Sequence, residues 1–316
     1  MIIRKALADA CAVLKTAGID TPSLDAHLLL AHVLKISRAS AAALGTEPLS
    51  RENAEKFFAL VERRQKGECA AYIIGKKEFR CLEFSVNPSV LVPRPDTETL
   101  VEAALEILED NFHTIKKEKT RSNTEEGKNP ISKTPCNSVV KNSFTNDNET
   151  RVLDLCTGSG AVAVSLKNEI TCLDVHASDI SGEALQTAKE NARRLLGENQ
   201  IHFYHSDLYD TLPRSQFSLV VSNPPYIPAD EIQTLSAEVR NEPRLALDGG
   251  KSGLEIISRI IDGAPGFLRR KGSLLLEADP RQMEKIAPLL AGKGFYDIKL
   301  YKDLSGRERV IGGVFE

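Results

Sequence analysis

Asn223-Pro224-Pro225-Tyr226 follows directly on the apolar run Phe217-Ser218-Leu219-Val220-Val221. A strand ending this way loses its backbone donors at two successive residues, because proline has no N–H. The carbonyls before and between the prolines are thereby left to face a ligand. Asn223 adds a side-chain carbonyl beside them. The chemistry that such a rim serves is attack by a planar –NH2 group, whose lone pair is otherwise delocalised into its own carbonyl. Two acceptors holding the two hydrogens fix the nitrogen and favour the pyramidal geometry of attack.

A second constellation lies upstream. Asp154-Leu155-Cys156-Thr157-Gly158-Ser159-Gly160 closes an apolar strand and opens a helix over Ala161 to Leu166. Glycines at such a turn let backbone approach a ligand closely. Asp179 ends the next strand, 19 residues after Gly160, where a carboxylate accepts bonds from ribose hydroxyls. Asp207, in His205-Ser206-Asp207-Leu208, follows the third strand. Gly158-x-Gly160-x-x-Ala163 satisfies a dinucleotide fingerprint as well as an S-adenosylmethionine turn, so the glycines alone do not choose between the two. The acceptor rim after the fourth strand chooses methyl transfer, since hydride transfer has no use for it. Cys156 reads as a small turn residue, with no base predicted near it, and Asp154 as a brace for the turn amides.

Elements that position these residues alternate from 151 onward. Strands are expected at Val152 to Leu155, Leu173 to Ser178, Ile201 to His205, Ser218 to Val221 and Ser273 to Leu276, with helices between them, such as Glu183 to Leu196 and Leu254 to Ala264. This is βαβ periodicity, the mark of an α/β doubly wound, mostly parallel sheet. Tyr296 to Tyr301 and Arg309 to Phe315 read as a terminal hairpin whose last strand runs antiparallel to its neighbours. All the candidate residues then converge on the carboxyl edge of the sheet.

Residues 1–75 show apolar spacing of three and four (Ile3, Leu7, Ala10, Leu14; Leu24, Leu28, Ala31), which predicts a small helical bundle with Ser23 and Ser50 as helix caps. Residues 76–92 read as a β-hairpin connector, and 93–316 as the second domain. Asp96 or Thr97 is expected to cap the helix that opens that domain. Arg94 and Glu98 read either as an i,i+4 pair or as part of a substrate entrance. Glu242 and Asp248 read as loop braces that could also reach a partner. Residues 114–150 carry only six apolar side chains, so 113–150 is expected to be a disordered insertion.

Composition bounds the partners. The 316 residues carry a net charge of −3, which leaves no field to attract nucleic acid. Residues 1–92 hold 13 Lys+Arg against 10 Asp+Glu, a mild basic excess, and 151–316 hold 20 against 23. No run reaches the length of a membrane span, and no signal peptide is evident. The six cysteines have no C-x-x-C spacing and, with no export signal evident, are expected to be reduced thiols in a cytoplasmic protein. The histidines form no H-x-x-x-H or H-x-E pair, so no metal is expected.

With these residues in view, the chain resembles the HemK/PrmC family of peptide chain release factor N5-glutamine methyltransferases. The resemblance rests on Arg64-Gln65-Lys66-Gly67 with Tyr72-Ile73-Ile74-Gly75, Leu91-Val92-Pro93-Arg94-Pro95-Asp96-Thr97-Glu98, the Asp-Leu-x-Thr-Gly-Ser-Gly turn and Ser222 to Ile227. It continues through Glu242-Pro243, Ala246 to Gly250, Gly253-Leu254 and Lys302-Asp303-Leu304-x-Gly306. It implies a class I methyltransferase fold behind a helical substrate-docking domain, and methylation of the glutamine in a Gly-Gly-Gln loop of release factors. By position it implies that Cys156, Thr157, Gly158, Ser159, Gly160, Asp179, Leu208 and Asn223 bind S-adenosylmethionine, joined by Asp207 from the reading above. Asn223, Pro224, Pro225 and Tyr226 would bind the substrate glutamine. Within that rim Asn223 and the Pro224 carbonyl would take the amide hydrogens while Tyr226 packs on the amide plane. A monomer without stable nucleic-acid binding is expected. The alternatives are an adenine or cytosine N-methyltransferase acting on nucleic acid, and a non-catalytic adaptor. Two positions depart from the family pattern: Cys156 where glycine is usual, and Glu277-Ala278-Asp279-Pro280-Arg281-Gln282 where Glu-Ile-Gly precedes a glutamine.

Overall fold

The computed structural model describes residues 1–120, 150–214 and 216–316. Five helices open the chain: α1 (Ile3–Thr16), α2 (Pro22–Leu34), α3 (Arg38–Ala43), α4 (Arg51–Gln65) and α5 (Ala70–Ile74). The three-and-four spacing does what it predicts, since Ile3, Leu7, Ala10 and Leu14 form the buried stripe of α1. They meet Leu29, Leu30, Phe57 and Val61 in a core of their own. Ser50 caps α4, its hydroxyl accepting from Asn53 N at 3.2 Å. Ser23 does not cap α2. Pro22 takes the first helical position, where its fixed φ and missing N–H cost nothing, so the cap moves back to Thr21, whose hydroxyl donates to Asp25 Oδ1 at 3.1 Å.

One buried cation ties this bundle to the rest. Arg64 is 2% exposed; its Nε donates to Asp25 Oδ2 at 2.7 Å, its Nη1 to the Glu68 carbonyl at 3.1 Å, and its Nη2 to Glu238 Oε2. Asn241 Nδ2 adds a bond to the Gly67 carbonyl at 2.9 Å.

The connector is a hairpin of β1 (Lys76–Phe79) and β2 (Leu82–Ser85), paired antiparallel through Phe79↔Leu82. Its two-residue turn, Arg80-Cys81, has φ of 47° and 60°, the left-handed pair that such tight turns require. Cys11, Cys69, Cys156 and Cys172 are free thiols. Cys81 is disulfide-bonded, against the expectation of six reduced thiols; its turn position leaves the sulfur at the surface. Fully buried Asn191 docks the hairpin on the following domain, accepting from Ser85 N at 2.8 Å and donating to the carbonyls of Ser85 and Ser159.

A 3₁₀ turn at Pro95–Thr97 leads into α6 (Glu98–Thr120). Asp96 and Thr97 lie inside that turn and cap nothing: Asp96 pairs with Arg309 at 2.9 Å, and Thr97 takes a bond from Asn223. Arg94 precedes the turn in extended backbone, so it has no i,i+4 relation to Glu98. Arg94 instead pairs with Glu242, and Glu98 accepts from Arg80 N. The helix runs through 113–120, part of the stretch expected to be disordered. Lys, Glu and Thr there extend a helix already nucleated, which is far easier than starting one. The rest of the expected insertion, residues 121–149, lies outside the described residues.

The second domain holds β3 (Arg151–Leu155), α7 (Ala161–Glu169), β4 (Asp174–Asp179), α8 (Gly182–Leu196), β5 (His202–His205), β6 (Phe217–Ser222), α9 (Ala237–Arg240), α10 (Glu255–Gly263), β7 (Leu268–Glu277), α11 (Met283–Gly292), β8 (Phe295–Lys302) and β9 (Glu308–Phe315). The sheet order is β5-β4-β3-β6-β7-β9-β8. The first five strands run parallel, and β9 lies antiparallel between β7 and β8. One face packs Phe84, Leu100, Leu108 and Leu166 from the hairpin, α6 and α7. The other packs Ile257, Ile260, Met283 and Ile286 from α10 and α11. Burying each such side chain contributes roughly 1.5–3 kcal/mol. No helix among the described residues is long and apolar enough to cross a membrane.

Candidate active site

From β3 the chain winds outward through β4 and β5, then returns to place β6 against the other side of β3. Loops leaving β3 and β6 therefore part company at a topological switch point, where doubly wound sheets hold ligands. Leu155 and Ser222 are paired in register, and Ser222 Oγ donates to the Leu155 carbonyl at 2.7 Å. The glycine-rich turn and the Asn-Pro-Pro-Tyr segment thus emerge at one height. A cavity opens between them.

Asp154, 1% exposed, braces the turn from below. Its Oδ2 accepts from Thr157 Oγ1 at 2.6 Å and from Ala163 N at 3.2 Å. Burial pushes its pKa up to about 7 despite those bonds. Cys156, Gly158 and Gly160 all take positive φ, at 58°, 55° and 81°. In the left-handed region the non-glycine Cys156 costs roughly 1–2 kcal/mol. Its thiol is pushed far up, first by burial and then by Asp179, so it is no nucleophile. The two glycines have different work. A Cβ on Gly158 would meet no protein atom and would project into open space, whereas on Gly160 it would press Ala188 Cβ at 3.2 Å. Gly158 serves the cavity; Gly160 lets α7 approach α8 and does not line it.

Asp179 sits at the cavity wall with both oxygens engaged, Oδ2 by Gly158 N and Oδ1 by Ser181 N, each at 2.9 Å. Each oxygen keeps a second lone pair. Burial raises its pKa, opposed by these amides. Ile180 beside it is 46% exposed and lines the same cavity, as do Ser159, Asp207 and Leu208. Asp207 Oδ2 pairs with Arg259 Nη2 at 2.9 Å.

At the opposite wall, Asn223 Nδ2 donates to Thr97 Oγ1 at 3.1 Å. That bond fixes the amide with Nδ2 towards Thr97, at a residue that lines the cavity. Among the described residues no backbone N–H from the turns and loops bonds the carbonyl of Asn223 or Pro224. The Tyr226 carbonyl is taken by Gln282 Nε2 at 2.9 Å. Gly249 and Gly253 brace the rim, since a Cβ on either would collide with the Pro225 or Tyr226 carbonyl, at 2.8 and 2.4 Å. Asn223 and Pro225 line the cavity. Pro224 is buried, and Tyr226 stands behind the rim with its hydroxyl 3.4 Å from Glu277 Oε1.

Thr97 connects the rim to Glu277, which is 1% exposed at the end of β7. Burial pushes Glu277 up to about 7, with the Thr97 hydroxyl and the Arg309 charge pulling the other way. Its Oε2 has no hydrogen-bond partner. Because the folded pKa lies above the usual carboxylate value, the native state is undisturbed below about pH 4 and loses stability as pH rises towards 7. Glu277→Gln should flatten that profile. Urea unfolding of the wild type and the variant at pH 4.5 and 8 should give a difference between the two pH values of on the order of 2 kcal/mol in favour of the variant. Parallel profiles would contradict the assignment.

Sequence reading missed Thr97 as the anchor of Asn223, because it was taken for a cap. It also missed Arg259 on Asp207 and the Arg94–Glu242 pair. A cluster of Asp174, His176 and His202 escaped too, since His202 arrives from a different strand.

Comparisons with known proteins show what the chain is similar to. Residues 5–75 match the PrmC N-terminal domain, and residues 136–241 match the methyltransferase small domain. The chain is 35% identical over 310 residues to the release factor glutamine methyltransferase of Moorella thermoacetica, covering 98% of this chain and 97% of that one. It is 38% identical over 291 residues to the release factor glutamine methyltransferase of Coxiella burnetii, covering 92% and 91%. Against the bifunctional methyltransferase of Rickettsia felis, identity is 35% with 98% of this chain and 57% of that longer protein covered. Among solved structures, the catalytic domain of hMettl16 in complex with MAT2A 3'UTR hairpin 6 superposes with a TM-score of 0.53 at 13% identity, over 81% of this chain and 82% of that one. That likeness is one of fold.

Proposed function

The chain belongs to the release factor glutamine methyltransferases, and on that premise we propose that it methylates the side-chain amide nitrogen of the glutamine in a release factor Gly-Gly-Gln loop, with S-adenosylmethionine as donor. The observation that carries the reading is the fixed Asn223 amide: its nitrogen donates to Thr97, and the residue shares a cavity with the glycine turn and Asp179.

The cavity's residues fit that cofactor. Open space at Gly158 admits a ligand against the backbone. Asp179 offers lone pairs to ribose hydroxyls, and Ile180 and Leu208 offer apolar faces to a base. The Cys156-to-Ser159 backbone, Asp207 and Asn223 complete the enclosure, with Gly160 holding the turn's shape from outside it. When bound, S-adenosylmethionine supplies a methyl group activated by a positive sulfur.

The rim acts on the glutamine. Asn223 Oδ1 and the Pro224 carbonyl accept its two amide hydrogens, which holds the nitrogen and turns its lone pair into the cavity. Pro225 walls the site, and Tyr226 stiffens it from behind through Glu277. Attack would leave the positive charge on the methylated nitrogen as the sulfur becomes a neutral thioether, and this N-methylated amide cation is a strong acid, so its proton leaves to solvent at the cavity mouth without a dedicated base. Positioning and electrostatics are the whole of the protein's contribution.

An extended glutamine loop gives the cavity little area to grip, so recognition needs a second surface. The N-terminal bundle is suited to supply it. Its Arg64 is bonded to Glu238 of α9, in the same loop region whose Pro243, Leu245 and Asp248 border the cavity. The bundle is thereby held at a set distance from the rim.

Labelled cofactor should be incubated with an intact release factor, a short Gly-Gly-Gln peptide and nucleic acid, and the products mapped by mass. Label is expected on the glutamine of the intact factor, with the peptide a much poorer substrate. Label in nucleic acid would overturn the assignment, and equal use of peptide and factor would overturn the role of the bundle.

A further inference from the structure

At the end of β4 remote from the cavity, side chains gather that the chemistry above does not use. Asp174 and His176 are two residues apart on β4 and so leave the same face of the sheet. His202 on β5 is the cross-strand partner of His176, and Arg151 on β3 that of Asp174. Asp174 Oδ1 lies 3.2 Å from His176 Nε2 and 3.5 Å from His202 Nε2, and the ligating atoms of all three fall within 4.8 Å of one another. Tetrahedral zinc with bonds of about 2.0–2.1 Å places neighbouring ligand atoms about 3.4 Å apart. The two oxygen–nitrogen separations already match that edge. His202, with its side chain 61% exposed, has the freedom to close the remaining one.

Two further observations point to a ligand. The His176 side chain is only 9% exposed, and its buried Nε2 makes no well-aligned hydrogen bond even though Asp174 Oδ1 stands 3.2 Å away; a buried polar atom so placed is better satisfied by a water or an ion between the two. The surrounding groups are also arranged as around a metal. The Tyr204 hydroxyl lies 3.1 Å from His176 Nδ1, orienting the ring and presenting Nε2 to the cluster. Arg151 Nε donates to Asp174 Oδ2 at 3.0 Å, so that Oδ1 is the oxygen turned to both histidines. Such outer bonds are what hold imidazole and carboxylate ligands in place.

We propose that Asp174, His176 and His202 bind one divalent cation of the zinc type, with the fourth position open to solvent beside His202. The site clamps the short edge strand β5 to β4. It stands five residues along β4 from Asp179, about 17 Å at the usual strand rise, so its effect is on stability and not on methyl transfer. The Arg151 charge opposes the cation, which places the affinity below that of closed four-ligand sites.

The test uses the full-length protein stripped with chelator and titrated with Co2+ alone, then Zn2+ in competition. One equivalent of Co2+ should give the absorption of a four-coordinate nitrogen and oxygen site, without a thiolate charge-transfer band, and Zn2+ should raise the melting temperature. His202→Ala, at an exposed position, and Asp174→Asn should each weaken binding by at least about tenfold and abolish the thermal shift. Tyr204→Phe should weaken it less. Co2+ uptake unchanged in His202→Ala, uptake carrying a thiolate band from exposed Cys172, or no uptake at all would each overturn the proposal.

Discussion

Asn223→Ala is expected to lower methyl transfer to the release factor glutamine by about a thousandfold, the scale of losing one preorganised charge-stabilising contact. Affinity for S-adenosylmethionine should stay within about tenfold of the wild type, because the turn, Asp179 and Asp207 are untouched. The split between the two readouts is the test, with turnover followed by label transfer and cofactor binding by calorimetry. Thr97→Val gives a graded companion. It keeps the Asn223 oxygen but removes the bond from Nδ2 that orients it, so turnover should fall by about tenfold with cofactor affinity unchanged. Near-normal turnover of Asn223→Ala would remove the rim from the mechanism.

The second large effect is on stability. Arg64→Ala leaves Asp25, 4% exposed, without its cation and withdraws the bond to Glu238. Removing one partner from a buried ion pair costs about 3–5 kcal/mol, because the remaining charge stays buried. Chemical unfolding should show a loss of that size. Arg64→Lys should recover less than half of it, since one ammonium cannot serve Asp25, the Glu68 carbonyl and Glu238 with the geometry of a planar fork. A loss below about 1 kcal/mol in Arg64→Ala would mean that the site collapses or hydrates easily.

What could be read in advance depended on how far apart the causes lay. The strands from 151 onward and the helices of the bundle were legible because each has its own period and its own apolar stripe. The glycine turn and the Asn-Pro-Pro-Tyr rim were legible because their chemistry is local: missing donors and admitted dihedrals belong to the residues themselves. Contacts between distant segments were not. Arg94 looked like a partner for Glu98 at helical spacing, but it lies outside the helix and meets Glu242, 148 residues away. Thr97 looked like a cap until β6 brought Asn223 to it. The contact of the Tyr226 hydroxyl with Glu277, 51 residues away, had no local signal either. The distinction between Gly158 and Gly160 likewise needed α8 in place, because only then does Ala188 stand against one of them.

The bond from Arg64 to Glu238 spans 174 residues of sequence and joins the two modules. It follows that the modules are not freely interchangeable parts. A bundle grafted from a relative would have to bring a guanidinium at the position of Arg64, or Glu238 would lose its cation and α9 its tether. A chimera cut at residue 75 therefore has to be matched at 238 as well, and recombination libraries that shuffle the two halves should enrich for pairs that keep both charges. A change at one of these positions therefore constrains the other, and the bundle and the sheet domain have to be altered together.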